Sequence, residues 1–309
     1  EGIRDEVTEE NARSDGENEV ILVSRRGYIA PNLKIGANLT SAEALRSNYR
    51  ISSMGMKLHG KGFLLTKNEA NRLRRQLEPT STLVYPFIGS RALVQQEKEL
   101  YAIDAYGLSD KSLATVAPDI YQHLLTNVKP EREQNRRPTY RDNWWIFGEP
   151  RATFRPALKN LKRMLCTPRT AKHRIFLFLD LPVVPESEVV CIAFADAFVQ
   201  GLLSASPHEV WALGQGGRMG MGNDPRYNNS RCFETFPFPA LEEDPLKQRI
   251  RALGEQLDAH RKARQAAHPT SPSPACTTSS KSSAARNRSP TRTERSTTTA
   301  SSPSSSKST

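Results

Sequence analysis

The spacing of apolar and polar positions changes several times along the chain, and each change marks an element. Thr66 stands three residues before Glu69, and Ala70, Leu73 and Leu77 follow at helical intervals. That pattern predicts a helix over residues 67–77 behind a capping box, in which each of the two side chains satisfies a backbone N–H. Pro118–Val128 reads as a second helix with proline in its first turn, and Pro150–Met164 as a third, basic one. β-formers run or alternate over Leu83–Ile88 and Leu100–Ala105, which gives two strands. The unbroken apolar run Arg174–Leu179, ended by Pro182 and Pro185, reads as a buried strand. Phe194, Phe198 and Leu202 repeat every four residues, so Ile192–Leu203 is expected to be helical. Asp244 and Pro245 form a cap and first-turn pair. From there Leu246, Ile250, Leu253 and Leu257 trace a narrow apolar seam to about Ala267, suited to packing along the domain or a partner. Nearer the start, VILV within Glu19–Ile35, punctuated by Gly27 and Pro31, suits short strands joined by turns.

These elements define an α+β fold, a mixed domain over residues 20–240 followed by an amphipathic helix over 241–267. The ends have a different composition. The first 20 residues carry eight acids and two arginines, so residues 1–19 read as an acidic, flexible lead. Residues 268–309 read as a disordered tail, and 23 of the last 40 residues are Ser or Thr. Re-read one base out of phase, that tail is compatible with an amphipathic helical string, which points to a frameshift near Pro269.

Charge narrows the function classes. The net charge is +11, and from Lys129 to Arg174 thirteen Lys or Arg face four acids. A polyanionic partner and a plain solvated basic surface both fit that density. The four cysteines, Cys166, Cys191, Cys232 and Cys276, lie far apart without a C-x-x-C pair or a histidine at ligand spacing, so neither a metal centre nor a disulfide framework is indicated. No window approaches 18 consecutive apolar residues, and the acidic start is the reverse of a signal peptide, so no membrane partner and a cytoplasmic location are expected.

Several long strings carry a family resemblance: HGKGFLLTKNEANRL from His59, YQHLLTNVKPEREQNRRPTYRDNWWIFGEPR from Tyr121, TAKHRIFLFLD from Thr170 and GNDPRYNNSRCFETFPFP from Gly222. YPFIGSR from Tyr85 adds weaker support. Over about residues 38–267 the chain resembles the C-terminal, target-recognition region of class I adenine-N6 DNA methyltransferases of the MmeI-like type IIL restriction-modification family. The resemblance implies sequence-specific binding of double-stranded DNA, with methyl transfer from S-adenosylmethionine performed by an N-terminal catalytic domain absent from this sequence. That domain carries a glycine loop after a strand and an N-P-P-Y motif that seats the flipped adenine. Neither is found here. Gly214–Gly222 lacks the strand context, and Asn223-Asp224-Pro225-Arg226-Tyr227 has Arg226 where a second proline is needed. No cofactor and no catalytic residue are therefore expected in this chain, which reads as inactive alone. A DNA-binding scaffold derived from a methyltransferase is the alternative. A complete enzyme using Asp104, Asp180 or Asp196 is a further one, although nothing in the sequence pairs those carboxylates.

The candidate DNA-contacting residues are Arg91, Lys159, Lys162, Arg163, Lys172, His173, Arg174, Arg218, Arg226 and Arg231. Arginine offers a bidentate fork to guanine, whereas lysine holds phosphate without reading sequence. Lys172–Arg174 immediately precede a predicted strand, and strand ends present side chains to ligands. Gly214–Gly222 with Arg218 is either a flexible turn or a loop that approaches phosphate closely. The adjacent Trp144 and Trp145 read as core or interface residues, and Phe233, Phe236 and Phe238 as structural anchors.

Overall fold

A computed structural model describes residues 4–14, 17–27, 39–76, 82–95, 97–219, 224–239 and 243–267. The Ser/Thr-rich tail, the expected frameshift region, Pro31, Leu77 and the end of the glycine-rich stretch, residues 220–222, lie outside the described residues.

Two four-stranded sheets organise the chain. The first has the order β3 (Ser52–Met54), β10 (Val189–Ile192), β7 (Arg163–Pro168), β8 (Leu177–Asp180), antiparallel throughout. The second has the order β4 (Leu64–Thr66), β6 (Leu100–Ile103), β5 (Val84–Ile88), β9 (Val184–Pro185), and only its β5–β9 pair is parallel. The short β9–β10 connection carries the chain from one sheet to the other. Near the start, β1 (Arg4–Ser14) and β2 (Glu17–Gly27) pair as an antiparallel ladder from Arg4 opposite Gly27 to Ser14 opposite Glu17. Composition predicts a flexible lead over residues 1–19. The ladder pairs the backbone of residues 4–14 with that of residues 17–27.

Alternation along the central strands of the first sheet sorts their side chains onto two buried faces. Leu165, Val190 and Ile192 join Phe176 and Phe178 on one face, beneath α6 (Ala197–Leu203), α7 (Ser206–Gln215) and the π-helical turn Asn229–Phe233. Met164, Cys166, Val189 and Cys191 join Leu177 and Phe154 on the other. Both faces are dry, so the strands read as apolar runs and not as alternating ones. The second sheet packs under α1 (Lys67–Arg75), α2 (Asp110–Val116) and α3 (Pro118–Asn127), where Phe63, Leu65, Ile103, Ile120, Leu124, Trp144 and Phe147 form the core. Trp144 is buried and Trp145 donates its Nε1–H to the Leu108 carbonyl at 2.8 Å, so both tryptophans are internal. Two short helices, α4 (Lys129–Glu133) and α5 (Pro138–Asp142), complete this half.

Several expected elements hold and others are redrawn by tertiary contacts. The capping box forms, with Thr66 Oγ1 accepting from Glu69 N and Glu69 Oε2 accepting from Thr66 N at 2.8 Å. The expected helix Pro150–Met164 does not form. A single 3-10 turn, Arg155–Leu158, is left at Lys159, whose ψ of 132° is extended, Asn160 follows in the left-handed region at φ 68°, and β7 begins at Arg163. The strand expected over Arg174–Leu179 starts only at Leu177, because the Phe176 carbonyl accepts from Gln200 Nε2 at 3.0 Å and Arg261 at 2.9 Å instead of from a neighbouring strand. Ile192–Leu203 divides into β10 and α6, since the Asp196 side chain caps the helix by accepting from Phe198 N at 2.9 Å.

The last helix, α8 (Pro245–Ala267), is capped as expected by Asp244, which accepts from Lys247 N at 2.7 Å. Its seam is not the expected one. Leu246 and Leu253 are 56% and 54% exposed, and the buried face carries Ile250, Gly254 and Asp258. Asp258 Oδ1 accepts from Phe178 N at 2.9 Å, and Arg251 grips Asp196 at 2.8 Å, so paired polar groups fix this helix to the sheet and α6.

Candidate nucleic-acid interface

Sequence segments about fifty residues apart meet at one end of the first sheet. Pro168 ends β7, and Arg169 N donates to the Glu188 carbonyl at 2.8 Å, turning the chain into the loop 169–176 that leads to β8. Beyond α7 the chain forms a second hairpin, β11 (Gly217–Met219) and β12 (Asp224–Arg226). Gly216 opens it because the backbone passes too close to its neighbours for any side chain: a Cβ there would stand 2.6 Å from the Ala212 and Arg226 carbonyl oxygens. This hairpin docks on the loop through a bridge between Thr170 and Arg226, and Tyr227 N donates to the Arg169 carbonyl at 2.7 Å. Lys172, His173, Arg174, Arg218 and Arg226, half of the candidate residues, are thereby gathered at one corner. Arg169 joins them, held by Glu188 at 3.1 Å.

Arg174 is the anchor of this corner. Its Nη1 donates to Thr167 Oγ1 at 3.0 Å and to the Pro168 carbonyl, its Nη2 donates to the Pro225 carbonyl at 3.2 Å, and its guanidinium lies 5.0 Å from the Tyr227 ring centroid. Burial lowers its pKa to about 10. It clamps β7 to the hairpin, and reading a base would require it to release those acceptors. Lys172 and Arg218 are exposed, and His173 and Arg226 half-buried. Acids are present too, since Glu209 helps line the small cleft beside Arg174 and Asp224 begins β12.

The other candidates lie elsewhere. Lys159, Lys162 and Arg163 sit at the opposite end of β7, about 17 Å away along a six-residue strand. Lys159 and Lys162 are exposed, and Arg163 is held by Glu255 and by the Ala195 carbonyl at 3.0 Å. Arg91 is exposed on a turn after β5, and Arg231 on the π-helical turn. Part of the basic density between Lys129 and Arg174 is tied to the protein itself. Arg132, 1% exposed, binds the Leu58 and Ile146 carbonyls at 2.9 and 2.8 Å, and Arg155 pairs with Asp104 at 2.8 Å. The charge count therefore overstates the basic surface.

The catalytic decoys have internal roles. Gly214 lies in the last turn of α7, so the glycine stretch does not follow a strand and does not fit an S-adenosylmethionine loop. Tyr227 is buried, with its hydroxyl 3.1 Å from His208 Nε2, and is not open to a flipped base. Asp104 and Asp196 are held by arginines. Among the described residues, no group of three or more His, Cys, Asp or Glu side chains could hold a metal ion, and no helix is long and apolar enough to cross a membrane.

Sequence reasoning missed two features. The β11–β12 hairpin is too short to carry a period. The exposed stripe Asn68, Asn71, Arg72 and Arg75 on α1 passes in sequence for the polar back of an amphipathic helix, although its spacing was visible there.

Residues 39–240 match the family described as MmeI, target recognition domain. No curated protein matches the sequence. Among solved structures, the chain is similar to the Type IIL restriction-modification enzyme MmeI in complex with DNA, at 18% identity and a TM-score of 0.61. That match covers 87% of this chain and 34% of the other, so this chain spans about a third of that length. At this identity the likeness shows the fold, and the fold is α+β.

Proposed function

This chain belongs to the MmeI target recognition domain family, and on that premise we propose that it recognises a specific sequence in double-stranded DNA. The observation that carries the reading is the docking of the β11–β12 hairpin on the loop 169–176, which gathers Lys172, His173, Arg218 and Arg226 around the Arg174 clamp. A two-stranded ribbon fits the major groove, and arginines on it can reach base edges. In this reading Arg218 and Arg226 face bases, Lys172 and His173 hold phosphates, and Arg174 keeps the hairpin rigid. Lys159, Lys162, Arg91 and Arg231 add sequence-independent contacts to the backbone of a longer site.

The wider assignment extends the same proposal. The chain serves a site-specific adenine-N6 DNA methyltransferase of a restriction-modification system, and a separate N-terminal domain binds S-adenosylmethionine and carries the chemistry. The residues suit such a division of labour: this domain offers positive charge, hydrogen-bond donors and a rigid frame, and of its candidate carboxylates Asp104 and Asp196 are held in ion pairs with arginines. The test is selection of duplexes from a randomised pool by the purified 309-residue chain. The proposal expects one enriched motif whose affinity falls steeply with salt. Retention of no duplex, or of all duplexes equally, would overturn it.

A further inference from the structure

Helix α1 is built as a probe, and the reasons are local. The capping box fixes its first turn, and Ala70 and Leu73, both buried, set its core face. Arg74 is turned back, donating from Nη2 to the Val84 carbonyl at 2.8 Å with its guanidinium 4.6 Å from the Tyr101 ring centroid. Opposite that face stand Asn68, Asn71, Arg72 and Arg75, all exposed, at i, i+3, i+4 and i+7. No hydrogen bond or ion pair joins any of these four side chains to a described residue, and the acid beside them, Glu69, is turned to Thr66. A solvated helical face ordinarily carries acids and bases interspersed. This one carries two amides and two guanidiniums without an acid.

Amide and guanidinium are the groups that read purines in the major groove, Asn by a bidentate pair with adenine and Arg with guanine. Nine residues make a rod about 13 Å long, and its diameter of about 10–12 Å fits the roughly 12 Å width of that groove. A path across the second sheet bounds the distance between the stripe and the basic corner. Thr66, Leu100, Phe87 and Val184 form one row across the second sheet, about 14 Å from β4 to β9. Four residues on, the Glu188 carbonyl accepts from Arg169 N. The start of α1 therefore lies within about one duplex turn, ~34 Å, of Arg169 at the edge of the corner.

We propose that α1 enters the major groove of the same DNA duplex and that Asn68, Asn71, Arg72 and Arg75 contribute a second block of base readout, separate from the β11–β12 hairpin. This inference rests on the DNA-recognition reading above. The test compares motifs selected from a randomised duplex pool by the wild-type chain, Asn71→Ala, Arg72→Ala and Asn71→Gln, with thermal midpoints measured alongside. Each alanine variant should erase one or two positions of the wild-type motif, lowering affinity for the preferred duplex by about 5- to 150-fold while affinity for unrelated duplex stays within about twofold. Asn71→Gln keeps the fold and the amide but extends it by a methylene, and should alter the same position as Asn71→Ala. Unchanged motifs in all three variants, or an equal loss on every duplex, would overturn the helix assignment while leaving recognition intact. A wild-type chain that enriches no motif would instead overturn the DNA-recognition reading, and this inference with it.

Discussion

Replacing Arg174 by methionine keeps most of the apolar stem and removes the guanidinium. The structure sets the cost. Three acceptors lose their donor: Thr167 Oγ1, the Pro168 carbonyl and the Pro225 carbonyl. Hydrogen bonds to a charged group contribute about 1.5–3 kcal/mol each, and each buried carbonyl left unpaired costs about 1–3 kcal/mol. The contact with the Tyr227 ring adds about 0.5–1 kcal/mol. Against this stands relief of a buried charge, a burial that already lowers the arginine pKa to about 10. The net expectation is a loss of about 3–5 kcal/mol, the usual result of removing one side of a buried charged network. In a domain of this size that lowers the thermal midpoint by roughly 6–20 °C. Denaturant unfolding is the assay, read as a shifted midpoint at constant slope. Because the clamp holds the hairpin that carries Arg218 and Arg226, binding to the preferred duplex should weaken together with the loss of stability. If Arg174→Met stays within about 1 kcal/mol of wild type and loses affinity only for the preferred duplex, Arg174 is a base reader and the clamp reasoning fails.

Two further perturbations follow from the packing. Burial lowers the His208 pKa from its ordinary 6.5 to about 4, with Nδ1 donating to the Leu203 carbonyl at 2.9 Å and Nε2 facing the Tyr227 hydroxyl. The unfolded chain takes up the proton first, so the stability held above pH 6.5 should fall away between about 6.5 and 4, by about 3 kcal/mol in all. Urea midpoints across that range in wild type and His208→Gln measure it, and equal pH dependence in both would count against it. In α8, Gly254→Ala would gain up to about 1 kcal/mol of helix propensity. The added Cβ, however, would stand 2.2 Å from the Ala197 carbonyl oxygen, so overpacking of about 1–3 kcal/mol should win. Calorimetry should show a lower midpoint, and a raised one would mean that α8 does not pack on α6 as described.

What was legible in the sequence was whatever local chemistry decides. The capping box at Thr66 and Glu69 and the Asp244 cap form as their spacing predicts, because a cap needs only neighbours within one turn. Elements settled at long range were misread. Pro150–Met164 reads as a basic helix, but its Phe154, Ala157, Leu158 and Leu161 pack in one cluster with the first sheet, the turn ends at Leu158 and the chain continues as a strand. The leucine seam of α8 was misleading because Asp258 and Arg251 find their partners in β8 and Asp196, which no spacing records. At the candidate interface the residue types were readable but their grouping was not. Lys172 and Arg226 stand 54 positions apart, and long-range contacts such as the Thr170–Arg226 bridge and the Arg174–Pro225 hydrogen bond bring them together. Arg174, by its type a base reader, is held instead by carbonyls of its own chain.

The central claim is that this corner grips duplex DNA, and the salt dependence of binding tests it most directly. The measurement is log Kd against log salt on the selected duplex, for wild type and for the triple variant Lys172→Ala, Arg218→Ala, Arg226→Ala. Each phosphate contact contributes a slope of about 0.9. With Lys172 on phosphate and the two arginines on bases, the slope should shrink by about 1, and preference for the selected duplex should fall by at least tenfold through the lost base contacts. A triple variant with the wild-type slope and the wild-type preference would contradict the account.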